Sequence, residues 1–242
     1  LAIQDYYAGG VRVISSEATA YGLRFPFIKG QTLASQVSMA RFDRDAFVAR
    51  VNERLDIVLN VQDKYRVPFH MTPAFEAEFG PAGLEGVPAL NPANIDALFS
   101  NFIDNDQGIF CIDCEWLCRF PVPVNFIKYR ILLYLYVTQA HAELEGTPLE
   151  EMLGWFGLTE EECALYWRMD DRFQQHVHGE GRRYVYPERY RKTDMSLAFF
   201  RQALHDRQVQ IADRDVQITA HKNEIVELKK VIRAKEEGLH KL

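Results

Sequence analysis

The stretch on which the reading turns is Asp96-Ala97-Leu98-Phe99-Ser100-Asn101, a following turn, and Ile112-Asp113-Cys114-Glu115-Trp116. Two apolar runs, 97–103 and 108–116, read as short strands. Between them stands Asp104-Asn105-Asp106-Gln107-Gly108. Asn, Asp and Gly tolerate the backbone angles of tight turns, so this joint is a strong hairpin signal. A hairpin folds the second strand back on the first and brings Asp113 beside Asn101. Asn101 itself stands five residues after Asp96. Two carboxylates and an amide are therefore expected to converge.

Outward from that stretch, residues 1–30 read as short strands. Val11-Arg12-Val13-Ile14 and 23–28 are β-rich, and Gly9-Gly10 marks a turn. A helix is expected over 44–65, where Phe47, Val48, Val51, Leu55, Val58, Leu59 and Val61 follow a 3.6-residue period, with Asp43 or Asp45 near its N-cap. Residues 67–92 are rich in Pro and Gly and read as a long loop with little regular structure. Helices resume over 124–144, 148–156 and 159–176, the last opened by the capping box Thr159-Glu160-Glu161-Glu162. Trp155, Phe156 and Trp167 fall on core positions by periodicity. Residues 195–242 read as one long helix. Leu204, Ile211, Ile218, Ile225, Ile232 and Leu239 recur every seven residues, the period of a coiled coil. The second seam holds Val209 and Val216 but then Asn223 and Lys230, which suggests a coil that needs a partner. The alternative is a solvated amphipathic helix docked on the domain.

Composition narrows the function classes. The chain has 242 residues, 48% hydrophobic and 12% aromatic, which excludes disorder as the main state. A net charge of −6 argues against nucleic-acid binding through a basic surface. Four Cys are too few for a disulfide scaffold and point to a reducing compartment. The longest apolar run, 131–140, is too short for a transmembrane helix and reads as buried. The first residue is Leu and no signal-peptide pattern follows, so the chain reads as a piece of a longer one. Cys111, Cys114 and Cys118 have near-zinc spacing, but no second pair follows. They read as buried thiols, and Cys111 falls on the buried strand parity. His176, His178 and Glu180 read as a solvated loop in preference to a metal site. The Arg182, Arg183, Tyr184, Tyr186, Arg189, Tyr190, Arg191 cluster reads as a surface loop held by its tyrosines. The other reading of that cluster is a phosphate or polysaccharide surface.

Asp96 and Asn101 have the D-x-x-x-x-N spacing, and Asp113 follows after the hairpin. Phosphoryl transfer is mostly positioning and charge neutralisation, so it uses a base and hard oxygen ligands that converge on one point. Here the chain resembles the aminoglycoside-phosphotransferase-like branch of the protein-kinase fold. In that branch the second metal-binding Asp sits in an I-D-x-E type motif, the form of Ile112-Asp113-Cys114-Glu115-Trp116. Phe27-Ile28-Lys29-Gly30-Gln31-Thr32-Leu33 resembles the hinge and the loop into the first C-lobe helix. More closely, 96–130, with Phe120-Pro121-Val122-Pro123 and Arg130, resembles the kinase part of bacterial methyltransferase–kinase proteins that cap O-antigen polysaccharides. In those proteins a methyltransferase precedes the kinase, and a coiled coil after it recruits the polymerising glycosyltransferase. The resemblance covers about residues 20–195.

The resemblance implies an α+β fold. A remnant of N-lobe strands and hinge would occupy 1–33, a mainly helical kinase-like C-lobe 34–194, and a coiled-coil helix 195–242. It implies Asp96 as catalytic base, Asn101 and Asp113 as magnesium ligands, and Glu115 assisting the metal or holding the loop, with ATP and Mg2+ as cofactors. It further implies a sugar or polysaccharide acceptor, a glycosyltransferase partner through the coil, homo-oligomers, and a cytoplasmic place, peripheral at the inner membrane through partners. No nucleic acid and no transmembrane segment are expected. The sequence departs from the pattern in two ways. Asn94-Ile95 stand where a His or His-Gly usually precedes the catalytic Asp, which is expected to weaken the loop's anchoring. No G-x-G-x-x-G occurs, and the residues before the hinge are too few for a Gly-rich loop with its phosphate-binding Lys and partner Glu. The piece alone is therefore expected to be inactive, with the rest of the lobe upstream. A rival reading is an inactive kinase-like scaffold. A third is a kinase of soluble amines, whose acidic cluster would be Glu160-Glu161-Glu162, although that run reads as a helix start.

Overall fold

The computed structural model describes residues 4–39, 41–114, 116–138, 144, 146–178 and 218. Near the N-terminus, Tyr6 and Tyr7 are buried and precede four short strands. These are β1 (Arg12–Val13), β2 (Glu17–Thr19), β3 (Gly22–Arg24) and β4 (Gln31–Thr32). Helix α1 (Arg44–Val58) starts where Asp43 caps it, its carboxylate accepting from the Ala46 N–H at 2.8 Å. Its buried face carries Phe47, Val51, Leu55 and Val58. The helix stops earlier than the 44–65 expectation. Leu59 and Val61 continue the apolar period, but the chain there turns to bridge the N-terminal segment. Val61 pairs with Tyr7, Asn60 O accepts from the Ala8 N–H at 2.7 Å, and the Gln62 N–H donates to Tyr6 O at 3.0 Å.

Residues 67–92 are more regular than their composition suggested. They contribute to β5 (Arg66–Pro68) and form helix α2 (Pro73–Phe79) and β6 (Pro88–Leu90). Thr72 caps α2, accepting from the Phe75 N–H at 3.1 Å, Pro73 sits in the first turn, and Gly80 ends the helix with φ +82°. Pro just inside a helix start and Gly just past its end delimit helices, because neither position needs the hydrogen bond or the side chain they lack. Phe75 and Phe79 are buried and supply the apolar face that makes the short helix worth forming.

The centre follows as β7 (Ala93–Asn94), a 3-10 turn (Phe99–Asn101), β8 (Phe102–Asn105) and β9 (Gly108–Cys111), then β10 (Leu117–Cys118) and β11 (Val122–Pro123). The expected hairpin is present but shorter than 97–103 and 108–116: 97–101 forms a loop and the 3-10 turn, and the second strand ends at Cys111. β8 and β9 are antiparallel, with Phe102 opposite Cys111 and Asn105 opposite Gly108. It is flanked on both sides in a sheet of order β1-β9-β8-β4, with β1 parallel to β9 and β4 antiparallel to β8. Smaller sheets are β10-β7, β11-β6-β5 and β2-β3.

Three helices close the described part: α3 (Val124–Thr138), α4 (Leu149–Trp155) and α5 (Glu160–His178). The capping box of α5 is closed in both directions. Thr159 Oγ1 accepts from the Glu162 N–H at 3.2 Å, and Glu162 Oε2 accepts from the Thr159 N–H at 3.0 Å. One apolar cluster joins α1, α2, α3, α5 and the strands, with Phe75, Phe79, Phe120, Phe126 and Phe173 in ring contact. Phe156 is buried and Trp155 half-buried, whereas Trp167 is exposed, contrary to its periodicity. The described residues thus form a mixed α+β fold with five α-helices and several small sheets. The boundary at 194/195, the heptad segment apart from Ile218, the Arg182–Arg191 cluster and Glu180 lie outside the described residues. Among the described residues no helix is long and apolar enough to cross a membrane.

Candidate functional site

The site is built on the loop that leaves β7. Asn94 is buried, and both ends of its amide are used. Oδ1 accepts from the Asp96 N–H at 3.0 Å, and Nδ2 donates to the Tyr7 hydroxyl at 3.0 Å. Its backbone N–H donates to the Tyr6 hydroxyl at 3.2 Å. The two tyrosine rings meet edge to face at 4.9 Å, and Tyr7 packs against Phe102 at 5.4 Å. Burial pushes both hydroxyls well above the ordinary tyrosine range, so they act as neutral hydrogen-bonding groups. The expected weakness of the loop is therefore corrected. Asn94 supplies the anchor, because a short amide can accept from the loop and donate to the core at once.

The loop then closes on itself. Asn101 ends the 3-10 turn, and its Nδ2 donates to both the main-chain oxygen and Oδ2 of Asp96, each at 2.9 Å. The five-residue spacing is what allows this. Arg130, on α3, holds the loop from beneath. Its Nε donates to Ile95 O at 2.9 Å, its Nη1 pairs with Asp170 of α5, and its Nη2 lies 3.9 Å from Asp96 Oδ1. The guanidinium is 2% exposed and is faced by the rings of Phe173 and Tyr134 at 4.9 and 5.4 Å. Asp96 thus has one oxygen on Asn101 and the other toward Arg130, with 18% of its side chain open to solvent.

The hairpin delivers the third group. The ladder runs one step beyond Phe102 and Cys111, where the Ile112 N–H donates to Asn101 O at 2.9 Å, and Asp113 is the next residue. The carbonyl of Asp113 accepts from Cys111 Sγ at 3.3 Å, and Cys111 Sγ lies 3.2 Å from Cys114 Sγ. Cys111 is fully buried, as its strand parity implied. The hydrogen bond to Cys114, then burial, pushes the Cys111 thiol up, and the same bond holds Cys114 below its ordinary value. Burial pushes Cys118 up to about 12. Glu115 lies outside the described residues. His176 is mainly exposed, 3.9 Å from Glu78.

Asp96 and Asn101 therefore share one closed loop, and Asp113 is the residue after the Ile112 N–H that bonds Asn101 O. With Nδ2 of Asn101 committed to Asp96, its Oδ1 is left on the far side, where its neighbour is Ser100 Oγ at 3.4 Å. An amide oxygen and a carboxylate are hard donors of the kind magnesium takes. Among the described residues no group of three His, Cys, Asp or Glu side chains is close enough to hold a metal alone. Magnesium held by only two protein ligands would need phosphate oxygens and waters to complete its shell. Sequence reasoning missed the supports Tyr6, Tyr7, Asn94 and Asp170, and gave no role to Arg130. The signal for the last pair was present: Arg130 sits between Tyr129 and Ile131 in an apolar helix, and Asp170 follows Met169 on the buried face of α5. No family model, curated protein or solved structure matches the chain.

Proposed function

We propose that this chain carries the catalytic loop of a phosphotransferase, moving the γ-phosphoryl group of ATP, with Mg2+, to a sugar hydroxyl. The observation that supports this best is the closed Asp96–Asn101 loop with Asp113 one residue past the Asn101–Ile112 ladder bond. Asp96 accepts the proton of the acceptor hydroxyl as its oxygen attacks the γ-phosphorus. The bond from phosphorus to the β–γ bridging oxygen breaks, and ADP leaves. Asn101 Oδ1 and Asp113 would hold magnesium, which neutralises phosphate charge when bound. Asn94 and Arg130 fix Asp96 without touching substrate.

The nature of the acceptor rests on the resemblance of 96–130 to the kinase part of O-antigen-capping proteins. So do the arrest of chain elongation, the recruitment of a glycosyltransferase by a 195–242 coil, homo-oligomers, and a cytoplasmic place at the inner membrane. One observation favours an inactive scaffold instead: the Asp96 carboxylate is already engaged by Asn101 and faces Arg130, contacts that suit a purely structural group. Magnesium-dependent transfer from ATP to an O-antigen oligosaccharide, measured on the intact protein that contains this chain, separates the two. Asp96→Asn is expected to lower the rate roughly 10²- to 10⁴-fold, the usual share of a general base. Asp113→Asn should abolish the magnesium response. An intact protein that neither transfers phosphate nor binds nucleotide overturns the reading in favour of the scaffold.

A further inference from the structure

Two thiols bracket Asp113. Cys111 closes β9 and is fully buried, while Cys114 is half-buried three residues later. Their sulfurs are 3.2 Å apart, and all four cysteines are free. A disulfide bond is about 2 Å long, so the two sulfurs need to approach by little more than an ångström. The Cys111 S–H also donates to the Asp113 carbonyl at 3.3 Å. Cys114 Sγ accepts from Asn94 Nδ2 at 3.6 Å. The pair is thus wired to both ends of the site, to the Asn94 anchor and to the peptide that carries Asp113.

We propose that Cys111 and Cys114 are a reversible dithiol that closes to an intrachain disulfide on meeting a small-molecule disulfide, and that closure displaces Asp113. Access decides the order of events. The thiolate of Cys114, the residue with solvent exposure, attacks one sulfur of the small disulfide and releases one small thiolate. Cys111, sealed from solvent, then attacks the Cys114 sulfur of the mixed disulfide and expels the second small thiolate. The two cysteine protons end on the two released thiols. The protein dithiol is oxidised and the small disulfide reduced, two electrons each. Oxidation removes the S–H that binds the Asp113 carbonyl and ties the ends of the two-residue arc Ile112–Asp113 together. Asp113 therefore moves. That this slows phosphate transfer rests on the phosphotransfer reading above.

The test treats the folded chain with oxidised glutathione, quenches, denatures and counts alkylatable thiols by mass. Two of the four thiols are expected to be lost, as one bond between Cys111 and Cys114 in the peptide map, and dithiothreitol should restore them. Cys114→Ser should keep its three remaining thiols, and Cys111→Ser should accumulate a glutathione adduct on Cys114. Four free thiols, or a wild-type protein that stops at the adduct, overturns the dithiol; since Cys111 is in the core, Cys114→Ser carries the comparison if Cys111→Ser does not fold. In the intact protein, transfer should fall at least tenfold on oxidation, recover on reduction, and be insensitive to glutathione disulfide in Cys114→Ser. An unchanged rate in the oxidised form overturns the link to Asp113. No transfer by the reduced protein counts instead against the phosphotransfer reading, and the thiol count still decides the dithiol.

Discussion

Asp170→Leu is expected to be among the most damaging single changes in the described residues. In the native protein the Arg130 guanidinium, 2% exposed, has Asp170 as its direct charge partner and Asp96 at 3.9 Å. Removing Asp170 leaves a buried cation with one distant carboxylate. Breaking a buried pair from one side costs about 3–5 kcal/mol, because the remaining ion stays desolvated. Asp96 already faces Arg130 and can be drawn closer, so the low end, about 3 kcal/mol, is the expectation here. At about 2–4 °C per kcal/mol for a protein of this size, the melting temperature should fall by roughly 6–12 °C. The double variant Arg130→Met with Asp170→Leu removes both charges and should return stability to within about 1 kcal/mol of wild type. It also removes the Nε bond to Ile95 O, so the Asp96 loop loses its floor while the fold survives. Urea unfolding followed by far-UV circular dichroism measures both variants. A cost for Asp170→Leu below about 1 kcal/mol, or equal costs for the single and double variants, would refute the argument that the pair is a charge-compensated unit.

Other outcomes follow from the same geometry. Asn94→Ala removes the acceptor of the Asp96 N–H and the donor to Tyr7, and should cost about 2–4 kcal/mol for two unsatisfied groups, read by urea midpoint at constant slope. Gly30→Ala puts a methyl group against the Asp104 carbonyl and 2.6 Å from Ile103 Cγ2, so it should cost about 1–3 kcal/mol and speed amide exchange at the Leu33 N–H that bonds Phe102 O. Burial raises the Glu162 carboxyl, but hydrogen bonds from the Thr159 N–H, Asn125 and the Thr159 hydroxyl outweigh it and hold it below its ordinary 4.5. A depressed folded value stabilises above the unfolded value and is lost as pH falls through the folded one. Glu162→Gln should therefore flatten the stability profile below pH 4.5, with little change in its shape above.

How legible each part was in the sequence follows from how local its determinants are. The hairpin was readable because Asp104 to Gly108 carries its own turn chemistry, whereas 97–101, apolar enough to read as strand, forms a loop and a 3-10 turn. The α5 cap was readable because Thr159 and Glu162 are three residues apart. The end of α1 was not: Leu59 and Val61 keep a helical period, and only the competing bridge to Tyr7 takes them out of the helix. Region 67–92 was misread because Pro and Gly were weighed by number. Pro73 and Gly80 punctuate a helix by position. The Asn94 anchor was hidden for a different reason. Its partners Tyr6 and Tyr7 lie 88 and 87 residues away, and no spacing rule reaches that far. The sequence around Asn94 gives no sign of an anchor, and it is the core that supplies one, through Tyr6 and Tyr7.

The segment before residue 33 consequently belongs to the site as much as the loop does. A two-stranded hairpin is marginal by itself, and this one is interior to its sheet, with β1 beside β9 and β4 beside β8. The β1 side reaches the site directly, since the Ile14 N–H donates to Cys111 O at 3.0 Å, two residues before Asp113. Tyr6 and Tyr7 reach the other end through Asn94. Residues 6–14 therefore fix both the Asp96 loop and the Asp113 arc. This is why stability and chemistry can be told apart here. If Asp96 and Asp113 only tie the loop, their Asn variants must lower stability along with any activity. If they face substrate, held from behind by Asn94, Arg130 and β1, those variants should stop transfer while the far-UV circular dichroism of the folded chain stays that of wild type.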